Sequence, residues 1–418
     1  MGDQSKKHHY VPQSVLRGFS SDQAQTRIYV FDKTTMRTFT SRIYDAGCEN
    51  QFNSIKVEGH TVSFEGLFQT NDDQLARLLN TIRSKRCLAQ FTPEDRIALS
   101  EVVAAQMVRT KMVRTTMRSV VQQLSESLME AGIDPGEVDG FSIPTDEEIR
   151  RTALASFLDL QGIVGSLQEK RPILIHSSNS KVFWISDNPV VLHNSFPYGE
   201  RGLNAPGIEV YFPLSSDLVL GFLCPSIELK IQQLLSIDHL GVDRQKSEEI
   251  YRGLREGNSV SMGPGTVQFL NELQVLSSSR FIYSSNDDFE QAREILQDQP
   301  EVRHVQSLIS VGRLGEWPNL HPNMPGGLWV VFYGRRSHYM VAADSWDERS
   351  AFLEFETGDE VRLQEVLGDL PLEKAALFQD GSERRSMREV QIEILGERAP
   401  FRVRVTHRNE ALNQILRS

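Results

Sequence analysis

Apolar residues recur with a helical period in two long stretches of the N-terminal half of the chain. They return every three or four positions from about residue 64 to 86 and from about 93 to 131, which predicts two amphipathic helices. Pro93 after Thr92 favours the start of the second helix, and Thr145 favours the start of a third. Short runs rich in β-branched and aromatic residues predict strands. The predicted strands are residues 27–32, 37–40, 173–176, 182–186, 190–192, 209–212, 219–223 and 281–283.

A group of chain-breaking residues near position 320 divides the sequence. Residues 317–327 hold the densest cluster of Pro, Gly and Asn, which indicates a linker, and strand patterns return after it. A chain of 418 residues is also longer than single cores usually extend. We therefore predict an α+β fold: a helical N-terminal part packed on a mixed β-sheet (residues 1–295), a linker (296–327) and a small α+β appendage (328–418).

Charge and motif content narrow the range of partners and reactions. The formal net charge is −11, which opposes general binding to the nucleic-acid backbone, yet a basic stripe runs between Arg83 and Arg118. Nucleic acid is therefore a candidate partner through this stripe; a second copy of the chain and a partner protein of a defence system are further candidates. The sequence has no P-loop, GxGxxG, HExxH or GxSxG motif, so ATPase, dehydrogenase, zinc protease and serine hydrolase functions are not expected.

Cysteines and apolar runs indicate the compartment. Cys48, Cys87 and Cys224 form no CxxC or CxxH pair, which argues against a disulfide framework and against a thiolate zinc site. No apolar run reaches the roughly 18 residues of a membrane span, and the first residues lack the apolar core of a signal peptide. We expect a cytoplasmic protein without membrane contact.

Two carboxylates interrupt the apolar face of the first predicted helix. At 100° per residue, Glu65 and Asp72 share a face with Phe68 and Leu75. A buried, unpaired carboxylate costs several kcal/mol, so each needs a cation, a metal ion or a raised pKa. Three alternatives follow: a structural cluster of arginine and carboxylates, a functional site, or a face that is exposed because the helix boundary is misplaced.

The second predicted helix supplies a cation that can pair with these carboxylates. Gln106 and Arg109 interrupt its apolar stripe. Lys111, Arg114 and Arg118 fall on the opposite face, which we expect to be solvated. Arg109 is the expected partner of Glu65 or Asp72, because a guanidinium binds a carboxylate or a phosphate through two hydrogen bonds. It is either a support of the core or an anion-binding residue.

Two short segments add further polar groups. His8 and His9 precede a Tyr-Val-Pro sequence whose proline restricts the backbone, and they are either solvated terminal residues or functional ones. Asp187 and Asn188 follow a predicted strand and precede Pro189. They form either an Asx-type turn or a strand-end site that holds a ligand or a metal ion.

These and other short motifs follow one another in a fixed order along the chain. They are Lys7-His8-His9-Tyr10-Val11-Pro12 with Leu16 and Phe19, Phe64-Glu65, Ala105-Gln106 with Arg109-Thr110, Ser186-Asp187-Asn188-Pro189-Val190, Phe212-Pro213-Leu214-Ser215, and Asn271. Together they resemble the uncharacterised bacterial family called domain of unknown function 4238, over about residues 6–290. The family usually has a second glutamate one or two turns after the first, where this chain offers Asp72 or Asp73. The resemblance itself implies little chemistry.

Because these motifs coincide with the polar residues on apolar faces, we expect one site assembled from several elements. The leading hypothesis is a metal-dependent nuclease or phosphodiesterase, in which a divalent ion (Mg²⁺ or Mn²⁺) activates water. The expected metal ligands are His8, His9, Glu65, Asp72 and Asp187. The expected catalytic residues are His9, Glu65 and Asp187. The expected substrate-binding or anion-binding residues are Gln106, Arg109, Asn188 and Asn271.

Two other functions compete with this hypothesis. One is a non-catalytic module that senses a nucleotide or another anion, and the other is an enzyme that acts on a small substrate such as a nucleotide cofactor. A role as a toxin or as an effector of phage defence is expected only by analogy with families of similar distribution.

Overall fold

The computed structural model of the chain has an α+β fold, as the sequence predicts. It describes residues 7–57, 60–178, 181–194, 202–205, 207–236, 244–304, 307 and 309, and the backbone of strands between 328 and 407. The chain divides into two compact units, one made of Met1–His193, Val210–Phe222 and Asp243–Glu316, the other of Asn194–Glu209, Leu223–Val242 and Trp317–Ser418. Within the described parts of the chain, none of the helices combines the length and the apolar content that a membrane crossing requires.

Helices form most of residues 65–168, and four more follow among the described residues of the second half of the chain. The helices are α1 (Gln13–Leu16), α2 (Glu65–Lys85), α3 (Pro93–Val108), α4 (Lys111–Glu130), α5 (Asp146–Leu158), α6 (Gln161–Gln168), α7 (Pro225–Ser236), α8 (Arg244–Glu256), α9 (Pro264–Ser277) and α10 (Glu290–Asp298). The predicted N-caps are confirmed. The hydroxyls of Thr92 and Thr145 each accept a backbone N–H of the first turn, and Asp95 and Glu148 return the bond to the cap.

Before residue 290, the strands of the described residues build two larger sheets and two strand pairs. The strands are β1 (Lys7–His9), β2 (Arg27–Asp32), β3 (Arg37–Arg42), β4 (Cys48–Asn50), β5 (Ser54–Val57), β6 (His60–Ser63), β7 (Arg171–Ser177), β8 (Ile185–Ser186), β9 (Val191–Asn194), β10 (Ile208–Ser215), β11 (Leu218–Leu223), β12 (Val260–Met262) and β13 (Phe281–Ser284). One sheet has the order β12-β7-β11-β10-β9, with β12 parallel to β7, and the other has the antiparallel order β3-β2-β13-β8. Strand β1 pairs with β4, and β5 pairs with β6.

Packed structure continues into the predicted linker. Helix α10 and a 3-10 turn at Pro300–His304 occupy its first residues. Leu296 and Val302 are buried in one core cluster with Phe31 and Trp184, so these residues belong to the body that carries α9 and β13. The breaker segment 317–327 lies outside the described residues, and the limits of the domains stay a prediction.

The C-terminal part contains an antiparallel sheet. Its strands are β14 (Leu328–Tyr333), β15 (His338–Ser345), β16 (Ser350–Glu354), β17 (Ala375–Gln379), β18 (Glu383–Ser386), β19 (Val390–Leu395) and β20 (Phe401–His407). Their order is β18-β17-β14-β15-β16-β20-β19, and neighbouring strands are antiparallel. The helical part of the predicted α+β appendage lies outside the described residues.

The second predicted helix is in fact two helices, α3 and α4. Arg109 (φ −87°, ψ 0°) and Thr110 (φ −84°, ψ 160°) leave the helical conformation between them. The Thr110 hydroxyl accepts a backbone N–H of the first turn of α4 at 3.5 Å and donates to Oδ1 of Asn188 at 2.9 Å. Because the break reorients α4, the prediction that Arg114 is solvated is wrong, and its side chain is partly buried.

Gly47 positions the strand that carries the two histidines. Its carbonyl accepts the N–H groups of Tyr10 at 2.9 Å and Val11 at 3.1 Å, and its own N–H donates to the hydroxyl of Tyr283 at 3.2 Å. Its φ of +61° lies in the left-handed region that favours glycine. A Cβ atom at this position would lie 3.0 Å from Cβ of Val11. A glycine is therefore required at the residue that precedes β4, where the backbone bonds to the residues that follow β1.

We expect Gly47→Ala to destabilise the fold more than Gly132→Ala does. Both glycines have positive φ angles, +61° and +77°, but a Cβ on Gly132 meets nothing within 4 Å. Gly132→Ala should therefore cost only the backbone strain of roughly 1–2 kcal/mol. Gly47→Ala adds overpacking against Val11, worth about 1–3 kcal/mol more. Chemical denaturation measures both, and equal losses would contradict the role of Gly47.

Candidate functional site

Two side chains from the end of α3 hold the backbone of β1 and of the residue after it. Nη2 of Arg109 donates to the carbonyl of His9 at 2.6 Å, and Nε2 of Gln106 donates to the carbonyl of Tyr10 at 2.9 Å. Both side chains are buried, and buried carbonyls need such partners. The polar residues that interrupt the apolar stripe of α3 therefore bind the main chain of the histidine segment.

Arg109 pairs with Asp72 and not with Glu65. Its Nη1 contacts Oδ1 of Asp72, its Nη2 lies 3.3 Å from Oδ2, and the guanidinium lies 5.1 Å from the centre of the Phe68 ring. The side chain of Arg109 is 1% exposed and that of Asp72 is 19% exposed, so the charges are largely shielded from water. Asp73, the other candidate for the second carboxylate of the family, is exposed.

Asn53 joins His8 to Glu65. Its backbone N–H donates to Nδ1 of the buried His8 at 2.9 Å, and its side-chain amide donates to Oε2 of Glu65 at 2.9 Å. Nδ1 of His8 also lies 3.7 Å from Oε2 of Glu65. A ring nitrogen that accepts an N–H bond carries no proton, so this contact is not an ion pair. His8 and Glu65 meet through an asparagine that the sequence did not single out.

His9 is buried beside the same charges. Its Nε2 donates to the carbonyl of Tyr44 at 3.2 Å, which leaves Nδ1 as the acceptor nitrogen of the neutral ring. Burial lowers the pKa of His9 below its ordinary value of 6.5, and Arg109 acts in the same direction. The carbonyl of Tyr44 and the carboxylates of Glu65 and Asp72 oppose this shift. His9 is therefore neutral at physiological pH.

Asp187 lies in a different network, behind the loop between α9 and β13. Its carboxylate accepts the backbone N–H groups of Ser279, Arg280 and Phe281 at 2.7, 2.8 and 2.9 Å. Burial raises the pKa of Asp187, while these three bonds and the charge of Lys33 oppose the rise. Both oxygens of the carboxylate are thus used to hold the loop.

The buried Lys33 binds carbonyl groups of the same loop and of the end of α9. Its Nζ donates to the carbonyl of Val275 at 3.2 Å and to that of Ser278, and its N–H donates to the carbonyl of Arg280 at 3.0 Å. Burial lowers the pKa of Lys33 to about 8, and the charge of Asp187 opposes this shift. Asp187 and Lys33 therefore fix both the N–H and the C=O groups of one loop.

Two amides of α9, Asn271 and Gln274, extend the sheet next to β8. Asn271 accepts the N–H of Trp184 at 2.8 Å and donates to the carbonyl of Val182 at 3.0 Å. Gln274, almost one turn later, accepts the N–H of Ser186 at 2.9 Å and donates to the carbonyl of Pro189 at 3.0 Å. Residues 182–184 bond to the side chain of Asn271 and to the carbonyl of Ser216, which lies in the turn between β10 and β11. Only the end of the predicted strand 182–186 therefore becomes β8.

The predicted site residues therefore fall into two groups. The first, which we call the β1 cluster, consists of His8, His9, Glu65, Asp72, Gln106 and Arg109. The second consists of Asp187, Asn188 and Asn271. The hydroxyl of Thr110 links the groups by its bond to Asn188, whose amide donates to the carbonyl of Ser277 at 3.1 Å.

The donors predicted for a divalent ion are engaged with protein partners. Nδ1 of His8 accepts an N–H, Asp72 binds Arg109, and Asp187 binds three N–H groups. Among the residues that the structure describes, no three of His, Cys, Asp and Glu are grouped so that they could hold a metal ion. These residues do not fit a divalent ion in this arrangement. The metal site stays a prediction.

A cavity of about 360 Å³, which we call the basic cavity, lies between α4 and the loop that Asp187 and Lys33 hold. It is lined by Thr34, Lys111, Thr115, Arg118, Ser119, Gln122, Ser279, Arg280, Arg303 and His304. Cationic, hydroxyl and amide groups thus form its walls, and neither a carboxylate nor a Phe, Tyr or Trp ring is among these residues. Its volume falls in the range of about 300–1,000 Å³ that is typical of small-molecule sites.

Most cations of the basic cavity have carboxylate partners that do not line it. These pairs are Lys111 with Glu49, Arg118 with Asp146, and Arg280 with Asp32. Arg303 differs from them. No carboxylate of the described residues pairs with it, and its Nε is buried without an acceptor among them. Arg303 is therefore the cation of the wall that is most in need of an anion.

Sequence analysis found only part of this cavity. Lys111 and Arg118 belong to the predicted basic stripe, which was the available signal. Arg280 and Arg303 were missed, because isolated cations at strand ends or near a helix end resemble ordinary solvated residues. The walls come from segments that are distant in the sequence, so only the fold brings them together.

The comparisons with known proteins concern the family alone. A family model with the description "Protein of unknown function (DUF4238)" matches residues 7–288. No curated protein and no solved structure matches the chain. The matched region contains both groups of predicted site residues and stops short of Arg303 and His304.

We expect Asp72→Ala to destabilise the protein strongly and Asp73→Ala to leave it nearly unchanged. Removing Asp72 leaves the buried guanidinium of Arg109 without its counter-ion, which should cost about 3–5 kcal/mol. Asp73 is exposed on the same helix, so its removal should change stability by about 0.5 kcal/mol or less. Urea denaturation of the two variants compares them. Similar losses would mean that the pair does not anchor α2 to α3.

The lowered pKa of His9 should make stability depend on pH below neutrality. The unfolded chain, in which the pKa is near 6.5, takes up a proton that the folded chain resists. The unfolding free energy should therefore be complete above about pH 6.5 and fall as the pH falls below it. His176, whose pKa burial also lowers, contributes in the same direction.

The His9→Gln variant isolates the contribution of His9. Between pH 7.5 and 5.5 its unfolding free energy should fall less than that of the wild type, whereas a His60→Gln control, altered at an exposed histidine, should follow the wild type. A His9→Gln variant as pH-sensitive as the wild type would show that burial does not affect this imidazole.

Proposed function

Because the chain belongs to the DUF4238 family, whose description assigns no function, we propose from its own geometry that it binds a phosphate-bearing anion in the basic cavity. The observation that carries this proposal is the wall itself. Four Lys and Arg side chains, one histidine and several hydroxyl groups converge on about 360 Å³ without a carboxylate among them. Such donors bind phosphate oxygens through charge-assisted hydrogen bonds.

Arg303 is the residue on which the proposal depends most. The other arginines and the lysine already have carboxylate partners, whereas Arg303 has none among the described residues and keeps a buried N–H without an acceptor. A phosphate in the cavity would supply both the missing charge and the missing acceptor. The proposal thus explains an otherwise costly group.

The chemistry of the walls favours a small phosphorylated ligand that is bound through its phosphates. Stacking on aromatic side chains is the usual way to hold a nucleobase, and no Phe, Tyr or Trp lines the cavity. Ser119, Ser279 and Gln122 offer neutral hydrogen bonds beside the cations. A nucleotide would therefore be held mainly by its phosphate groups, and pyrophosphate should bind nearly as well.

Metal-dependent hydrolysis of a phosphodiester is the competing proposal. It would place the reaction at the β1 cluster, where His9 and Glu65 lie near Asp72 and Arg109. The basic cavity would then supply cations for the phosphates of the nucleic acid. No single observation favours this function over anion binding, because the carboxylates of both groups have protein partners.

The test is calorimetric titration of the full chain with pyrophosphate, ATP and a short single-stranded oligonucleotide. Arg303→Gln should weaken pyrophosphate binding about tenfold or more, because a hydrogen bond to a charged group contributes about 1.5–3 kcal/mol. Arg77→Gln removes the same charge from an exposed position on α2 and should change the affinity little, since salt screens it.

Two outcomes would overturn this proposal. One is a wild-type protein that binds none of the three ligands at low ionic strength, and the other is an equal loss of affinity in both variants. A nuclease assay with Mg²⁺ or Mn²⁺ on the same preparations separates the competing proposal. Cleavage by the wild type that Glu65→Gln abolishes, without loss of stability, would favour catalysis at the β1 cluster.

A further inference from the structure

A second cavity, which we call the arginine cavity, lies against the first turn of α4. Arg109, Arg114 and Arg150 line it together with Phe52 and Asn53, and it shares no lining residue with the basic cavity. Its volume of about 10 Å³ admits a single group of about the size of a water molecule. Three cationic side chains thus surround a space for one small occupant.

Arg114 carries a charge that no carboxylate of the described residues neutralises by direct contact. Its guanidinium lies 3.5 Å from the centre of the Phe52 ring and donates to the carbonyl of Phe52 at 2.6 Å and to Oδ1 of Asn53 at 3.3 Å. Both acceptors are neutral. No carboxylate of the described residues forms an ion pair with it, and Glu49, which acts on it from farther away, is paired with Lys111.

Two N–H groups on the wall of the arginine cavity lack acceptors. Nε of Arg109 and Nε of Arg114 are buried without a hydrogen-bond partner among the described residues. The Arg109 side chain is 1% exposed, so bulk water does not reach it. Buried donors of this kind usually bind an ordered water or an ion.

The electrostatic balance distinguishes an ion from a water molecule. Asp72 neutralises Arg109. Arg150 lies 4.0 Å from a carboxylate oxygen of Glu147 and is still close enough to Arg114 to disfavour its charge. Burial and Arg150 lower the pKa of Arg114 to about 10. A water molecule would accept the two N–H bonds without reducing this repulsion, whereas an anion would do both.

We propose that the arginine cavity binds a single halide ion, which is chloride under physiological conditions. Arg114 and Arg109 donate to the ion, and Arg150 adds a third positive charge at the edge of the cavity. The small volume excludes phosphate, sulfate and carboxylates, so this site is chemically distinct from the basic cavity. The ion would join α4 and α5 to the segment that carries Phe52 and Asn53.

The experiment follows the thermal unfolding of the full chain while sodium chloride replaces sodium gluconate at constant ionic strength. Gluconate is too large for the cavity and serves as the reference anion. The wild-type midpoint should rise with chloride, by roughly 2–4 °C for each tenfold increase above the dissociation constant. Arg114→Met keeps an apolar stem against Phe52 and should abolish this rise.

The matched control is Arg77→Gln, which removes an exposed arginine of α2 that lines neither cavity and should keep the full chloride response. A chloride response that Arg114→Met retains, or one that Arg77→Gln abolishes, would overturn the proposal. If Arg114→Met does not fold, crystals of the wild type grown in sodium bromide decide the question. An anomalous peak among Arg109, Arg114 and Arg150 supports a halide site, and a water molecule only at that position refutes it.

Discussion

A buried guanidinium fixes the relative positions of three elements. Arg109 at the end of α3 binds Asp72 of α2 and the carbonyl of His9 in β1. Water does not reach this charge, so α2, α3 and β1 must be placed together for it to be satisfied. The chain leaves the helical conformation at the same residue, and Thr110 can then cap α4 and bind Asn188. The relative placement of α2, α3 and β1 thus depends on one ion pair.

The polar residues that carry the family resemblance act largely on the main chain. Gln106 and Asn271 bind backbone groups, and Asp187 binds three N–H groups of one loop. That loop carries Ser279 and Arg280, which line the basic cavity. These motif residues therefore fix the loop that forms one wall of the basic cavity, although they do not line the cavity themselves.

Helices and their caps could be predicted from the sequence, because they depend on local chemistry. Features that depend on tertiary contacts could not be predicted in this way. The periods of α2 and α3 and the caps at Thr92 and Thr145 could be read from the sequence, and so could the need of Arg109 for a carboxylate. The break at Thr110 could not, because residues 93–131 have a continuous helical pattern and the competing bonds come from Asn188. For that reason the predicted exposure of Arg114 was wrong. The sequence indicated only part of the basic cavity, because Arg303 is distant in the sequence from Lys111 and Arg118 and comes close to them only in the folded chain.

The amides of α9 have a consequence for association between chains. Strand β8 lies at the edge of the sheet β3-β2-β13-β8, and an uncovered edge offers its N–H and C=O groups to strands of other molecules. Asn271 and Gln274 bind four backbone groups of β8 and its flanking residues, namely the N–H groups of Trp184 and Ser186 and the carbonyls of Val182 and Pro189. A helix thereby closes the sheet with two side chains and protects it from growth into aggregates.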